Sequence, residues 1–528
     1  MLVLLPPLLL MVFGLALLIV QRVRSNFGYA WLGASAAALI VWGLVLFSRF
    51  RLPTELVLEN WRHLPGLGSD ALLFRVDYIS WPYALALSTL AAAVVISSPA
   101  RLGAGGSLPS WDRGLMLVGL GLLAVFAVSP LALVLMWTAI DIVEMLALLG
   151  TTSGDRQERA IVTSFSFRVV GTLLILLAAL QGGPEATFDF ISTRPQLSLL
   201  LVLGAGLRLG VLPLNVPYAH EPVLRRGIGT LLRMVAAASS LVLLARLPAK
   251  AVPDNWLPWL LLFAALAALY GAGRWVAAKD ALNGRPYWIV AMAALAIVCV
   301  AQGQPQASLA WGVAMILPGS LLFLMSARSA GLLVISALGL LGLLGLPFTP
   351  AAGGWAGLLG NPMTGNGMLF LVVQALLGLG YLRHALAPIQ PWRELESWAR
   401  IVYPLGLVLL VIADILIGIW GGPDFFTLGV WWAAVIATGL IGILVVGNHL
   451  LRPFRQAGWL VALGRQIVNL LSKIISLTWF YRLLEWLYHQ LGKIVRFLSL
   501  IFEGDGGVLW TLVFLALLIT LIRSQGGP

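Results

Sequence analysis

Within the long apolar runs of this 528-residue sequence sit a few ionisable side chains: the acids Asp141, Glu144 and Asp414, and the bases Arg168, Arg208 and Arg233. A charge inside an apolar span is costly, and by default it marks a functional site. Asp141 and Glu144 are three residues apart, so a helix puts them on one face, with Trp137 one turn earlier. Two buried carboxyls at that spacing suit the reversible binding of a proton. The same residues read equally well as a static ion pair with Arg208 or Arg168 that only neutralises charge. Arginine stays protonated, so it can set the charge of its neighbours but cannot itself relay a proton.

Other chemistries find little support. Cys299 is the only cysteine, which leaves no internal disulfide, thiolate metal site or iron–sulfur cluster to be built from this chain. His63, His220, His384, His449 and His489 are scattered through connections and the tail, so no haem, zinc or other cofactor is expected.

The elements that must position the charged residues are transmembrane helices. The chain is 60% hydrophobic and 10% charged, with mean hydropathy +0.97. A soluble domain is about 45–50% apolar and about 25% charged, so a soluble enzyme and a disordered scaffold are excluded. Runs such as 115–140 are too long for porin strands. An all-α polytopic membrane protein remains, with about sixteen spans at roughly 20 residues each, the last at 507–522. The first span lacks a basic flank and a small-residue cleavage site, so it is expected to be retained. Sorted by loop, roughly twice as many Lys and Arg follow odd-numbered spans as even-numbered ones, which predicts odd loops in the cytoplasm and both termini outside. The net charge of +12 is thus a topology signal that needs no nucleic-acid partner.

Prolines interrupt two apolar runs, at Pro213 and Pro217 and again at Pro347 and Pro350. Broken helices at matching positions of two halves point to a transport pathway. Arg208 lies five residues before Pro213, and Gly342 five before Pro347. Between Tyr287 and Leu382 the only charged side chain is Arg328, so the second half lacks the charge that the first carries and is expected to be dry. Residues 450–505 interleave Arg and Lys with Leu, Ile, Trp and Tyr at helical spacing, as in an amphipathic helix lying along a membrane or a neighbour. The expected divisions are a three-helix segment at 1–113, repeats at 114–246 and 255–386, two further helices at 387–449, the lateral segment at 450–505 and a last helix at 506–528.

On these residues the chain resembles the antiporter-like subunits of respiratory complex I and the large Mrp-type cation/proton antiporter subunits. Asp77-Tyr78-Ile79-Ser80 is similar to the family's start of its third helix, and Ser129 to Glu144 resembles its fifth, with Thr138 in place of the usual glutamate. Arg208 stands where the family has lysine, and Asn215 and Arg233 where it has histidines. Lys279-Asp280 resembles the linker before the tenth helix, and Gly345-Leu346-Pro347 the broken twelfth. The resemblance implies two inverted five-helix repeats, a lateral helix, no redox chemistry in this chain, and partner membrane subunits in an energy-coupling membrane such as a bacterial inner membrane. Three functions are compatible with it. One is a proton-translocating subunit of a complex-I-like assembly that uses Asp141 and Glu144 with Arg208. Another is a non-pumping strut. The third is a membrane partner in a cation/proton antiporter or inorganic-carbon uptake complex.

Overall fold

A computed structural model describes residues 3–24, 29–58, 72–101, 111–150, 154–182, 190, 193–214, 226–346, 348–359, 365–387, 390–392, 395–420 and 431–450, with isolated positions beyond. The chain divides into units Met1–Gln456 and Ala457–Pro528, and everything below belongs to the first. The lateral segment at 450–505 and the span at 507–522 lie outside the described residues, as do Asn215, Pro217 and Pro347.

The helices are α1 (Leu5–Val23), α2 (Ala30–Ser48), α3 (Ser80–Ile96), α4 (Trp111–Phe126), α5 (Pro130–Leu149), α6 (Asp155–Gln181), α7 (Pro195–Leu209) and α8 (Arg226–Ala245). They continue with α9 (Leu257–Ala277), α10 (Ala281–Ala301), α11 (Pro305–Leu324), α12 (Ala330–Leu344), α13 (Pro350–Leu359), α14 (Gly365–Ala385), α15 (Ser397–Trp420) and α16 (Trp431–Leu450). Ten of the described helices are long and apolar enough to cross a membrane. The protein is an all-α integral membrane protein. Helices α8, α10 and α11 are buried almost all round, whereas α1, α2, α6 and α9 keep apolar faces outward.

Local chemistry sets the helix starts. Proline opens the first turn of α5, α7, α9 and α11, where its missing N–H costs nothing. Side chains cap α5, α10 and α12: Ser129 Oγ accepts from Ala132 N at 3.4 Å, Asp280 from Asn283 N at 2.9 Å and Ser329 Oγ from Leu332 N at 3.3 Å. Before α3, Asp77 Oδ1 accepts from the backbone N–H of Ile79 (3.1 Å) and Ser80 (2.7 Å).

Three features depart from the expectations above. A hairpin of β1 (Thr54–Leu58) and β2 (Leu72–Val76) precedes α3, with Leu72, Phe74 and Val76 turned inward; two-residue strands β3 (Ala327–Arg328) and β4 (Gln390–Pro391) pair in parallel. The interrupted run after Ala330 becomes two helices, α12 and α13, where a single span of roughly 20 residues is expected, and Asp414 falls on α15. Two of the arginines counted for topology are buried: Arg285 lies inside α10, fully buried, and Arg246 is buried in the turn after α8, donating to Ala127 O at 2.5 Å and pairing with Asp77 at 3.5 Å. Their charges are spent on internal contacts, so they say nothing about which side a loop faces.

Candidate functional site

The site begins with the spacing on α5. Trp137, Asp141 and Glu144 follow one another on a single face, all three buried. Around that face stand α6, α7 and α8, each contributing one arginine. Arg208 of α7 forks onto Asp141: Nη2 donates to Oδ1 at 2.9 Å and Nη1 to Oδ2. Its Nε reaches Ser240 Oγ and its Nη1 Thr172 Oγ1, both at 3.3 Å, and its guanidinium lies 4.0 Å from the Trp137 ring centre. Arg233 of α8 donates to Glu144 Oε1 at 2.7 Å.

Arg168 of α6 joins the two halves of the cluster. Its Nη1 donates to Glu144 Oε2 and, at 3.3 Å, to Asp141 Oδ1, while Nη2 meets Glu144 Oε1 at 3.2 Å. The five charged residues are each no more than 7% exposed. Such charges are tolerated away from water only when paired with good geometry, and a forked guanidinium–carboxylate contact supplies it.

Glycine brings α6 and α7 close enough for this. A Cβ at Gly171 would stand 2.6 Å from Gly204 O and 2.9 Å from Arg208 Cγ, and one at Gly204 would stand 2.8 Å from Gly171 O. The two backbones therefore touch beside Arg208. On the open side of the cluster a cavity of about 30 Å³ is lined by Arg168, Arg208, Arg233, Ala237, Pro286 and Val290 among others. That volume accommodates a water molecule.

Both breaks have the same cap. Helix α7 ends at Gly210 (φ 75°) and α12 at Gly345 (φ 76°), each in the left-handed region that glycine enters without penalty. Beyond α7 the cap is made by the chain itself, Val211 N and Leu212 N donating to Gly206 O at 2.9 and 3.2 Å, with Pro213 next. Beyond α12 the chain's own bond, Gly345 N to Gly342 O at 3.4 Å, is joined by two from outside: Gln374 Nε2 donates to Leu343 O (2.6 Å) and Trp355 Nε1 to Leu344 O (3.1 Å), while Pro350 opens α13.

The structure thus brings Asp141, Glu144, Arg168, Arg208 and Arg233 together and leaves Asp414 apart, on α15 against α12. It adds Arg285, whose Nη1 donates to Thr230 Oγ1 at 3.1 Å, one turn of α8 before Arg233. Its neighbour Pro286 lines the cavity. Two residues of sequence separate Arg285 from Asn283 and the cap of α10, and nothing local marks it as buried.

No family model matches the chain, and no curated protein matches it. Solved structures do. The whole chain superposes on the Mrp complex from Dietzia sp. DQ12-45-1b, with TM-score 0.73 and 16% identity, and spans 63% of that longer chain. The membrane-bound sulfane sulfur reductase, an archaeal respiratory membrane complex, matches 98% of this chain and 99% of its own, with TM-score 0.65 and 14% identity. Respiratory complex I from Thermus thermophilus matches 83% of this chain and 99% of its own, with TM-score 0.60 and 22% identity. The chain has the antiporter-like fold found in these membrane complexes.

Proposed function

We propose that this chain is a proton-translocating membrane subunit of a complex-I-like or Mrp-like assembly, with any redox chemistry in other chains, and that the cluster on α5–α8 is its proton-handling site. The observation that carries the reading is the position of Arg168, whose Nη1 bonds to both carboxylates at once. A shared guanidinium can move its bond from one acid to the other without leaving the cluster. When Glu144 takes a proton, Arg168 loses its partner there and leans on Asp141; when the proton leaves, it returns. Arg208 and Arg233 keep their charge throughout and hold α7 and α8 on the cluster. A water in the cavity beside the three guanidiniums would deliver the proton. The partners are other membrane subunits and lipid, in an energy-coupling membrane such as a bacterial inner membrane, with odd loops in the cytoplasm and the N-terminus outside.

A strut is the second reading, and the completeness of the pairing favours it: Asp141 and Glu144 together tie four helices. Glu144→Gln separates the two. The assembly carrying it, reconstituted in vesicles with an internal pH dye, should translocate protons about 10²-fold more slowly, the scale of a lost general acid–base group. An assembled variant that translocates at the parental rate would leave the strut.

A further inference from the structure

Helices α12, α13 and α14 contain no Asp or Glu. A carboxyl nevertheless reaches their core from α15. Asp414 is 5% exposed, and a Cβ at Gly342 would collide with its Oδ2. One turn earlier, a Cβ at Gly339 would stand 2.6 Å from the hydroxyl of Tyr381 on α14. Two glycines of α12 therefore form a trough, three residues short of the left-handed Gly345, into which α14 and α15 each aim a polar group. Among the described residues, neither Asp414 Oδ1 nor Tyr381 Oη has a hydrogen-bond partner.

Among the described residues, nothing beside Asp414 offsets a negative charge. Helices α3, α11, α12 and α13, which pack on α15, carry no charged side chain; Tyr83 of α3 is their one titratable group, and Tyr381 lies across α12. The nearest bases along α15 sit at its ends. Arg49 donates to Trp420 O, six residues on. The turn Ser98–Arg101 follows Ser97, which packs on Gly406, eight residues before, and Arg400 is held by Leu395 O. A buried carboxylate without a counter-ion is strongly disfavoured, so a cation must accompany it.

We infer that Asp414 is a second proton-binding site, set at the break of α12 and supplied from outside the two repeats. The inference rests on the reading of this chain as a proton-handling subunit. A proton fits better than an alkali ion, which needs several oxygens to replace its hydration shell. The carbonyls of Leu343 and Leu344 are already taken by Gln374 and Trp355, and the other wall near Gly342 is Pro318 carbon. The step is simple: a carboxylate oxygen takes one proton and becomes an O–H donor, and releases it to the next acceptor along the trough.

The full chain in lipid vesicles tests this with two readouts. Infrared difference spectra over a pH titration should contain the carbonyl band of a protonated carboxyl that shifts in D₂O and is lost in Asp414→Asn. Dicyclohexylcarbodiimide, which adds to protonated carboxyls in apolar surroundings, should modify Asp414, as mapped by mass spectrometry. The labelling uses the parental protein, so it decides the matter even where Asp414→Asn fails to fold. An unmodified Asp414, a band that survives in folded Asp414→Asn, or protection by sodium in proportion to its concentration would each overturn the inference. These results are independent of the Glu144→Gln transport test: a lost band beside normal transport in Glu144→Gln sinks the earlier reading alone, and an absent band beside defective transport sinks this one alone.

Discussion

Arg208 holds Asp141 with two nitrogens, reaches Ser240 and Thr172, and covers the face of Trp137. A lysine in its place would bring one compact charge and no planar fork. Arg208→Ala leaves Asp141 leaning on Arg168 at 3.3 Å. Breaking a buried pair in this way costs about 3–5 kcal/mol, and a lower midpoint of thermal unfolding in detergent should report it. Arg208→Lys should fall between. Replacing both partners, with Asp141→Leu and Arg208→Met, should recover most of the loss, because no charge is then stranded. The cluster was legible because charges interrupting apolar runs are conspicuous. Arg285 and Arg246 were not, since each lies near the end of a run beside Asp280 or Lys250, and their burial depends on partners 55 and 119 residues away. Asp414 was visible as a charge in a span, but its place against Gly342 depends on how α12 and α15 cross.

At the scale of the element, contact between backbones does what apolar attraction cannot. Lipid is as apolar as leucine, so helices in a membrane associate through close packing at small residues. Gly171 and Gly204 seat α6 on α7, Gly14 and Gly119 seat α1 and α4 on each other, and Gly271 lets α9 reach Tyr287 O of α10. Gly171→Ala forces α6 away from α7 just where Arg168 and Arg208 converge. The expected cost is the overpacking penalty of about 1–3 kcal/mol, with a further loss from the loosened ion pairs. Gly273→Ala is the control: nothing lies within 4 Å of its Cβ, and removing a helix-interior glycine should gain roughly 0.5–1 kcal/mol. Unfolding midpoints of the two variants should move in opposite directions. The helices themselves were readable from apolar runs and proline positions. The β1–β2 hairpin was not, because five-residue strands separated by thirteen residues leave no periodic signal long enough to outweigh the flanking spans.

For the molecule as a whole, the outward faces of α1, α2, α6 and α9 carry residues such as Val12, Phe47, Leu173 and Phe263, each more than half exposed, while α8, α10 and α11 form the interior. The sidedness of the molecule can be tested without engineering the background, because Cys299 is fully buried against Gly354 and should not react with membrane-impermeant maleimides. Ser107→Cys, between α3 and α4, and Arg156→Cys, in the first turn of α6, should both be labelled only from the cytoplasmic side. Labelling from outside would invert the orientation. The odd-loop excess behind this expectation is unchanged once Arg285 and Arg246 are removed from it, one from each side.

The two helix breaks differ in what a movement would have to undo. Helix α7 carries its own main-chain cap, but Arg208 near its end ties it to Asp141 of α5, Thr172 of α6 and Ser240 of α8. Helix α12 is pinned by a glutamine from α14 and an indole from α13. Displacing it by one turn, about 5.4 Å, would strip two carbonyls at once, at about 1–3 kcal/mol apiece. The second break is therefore tied to α13 and α14 and the first to the ion cluster, so a displacement of either helix end would have to carry its neighbours along or undo buried polar contacts.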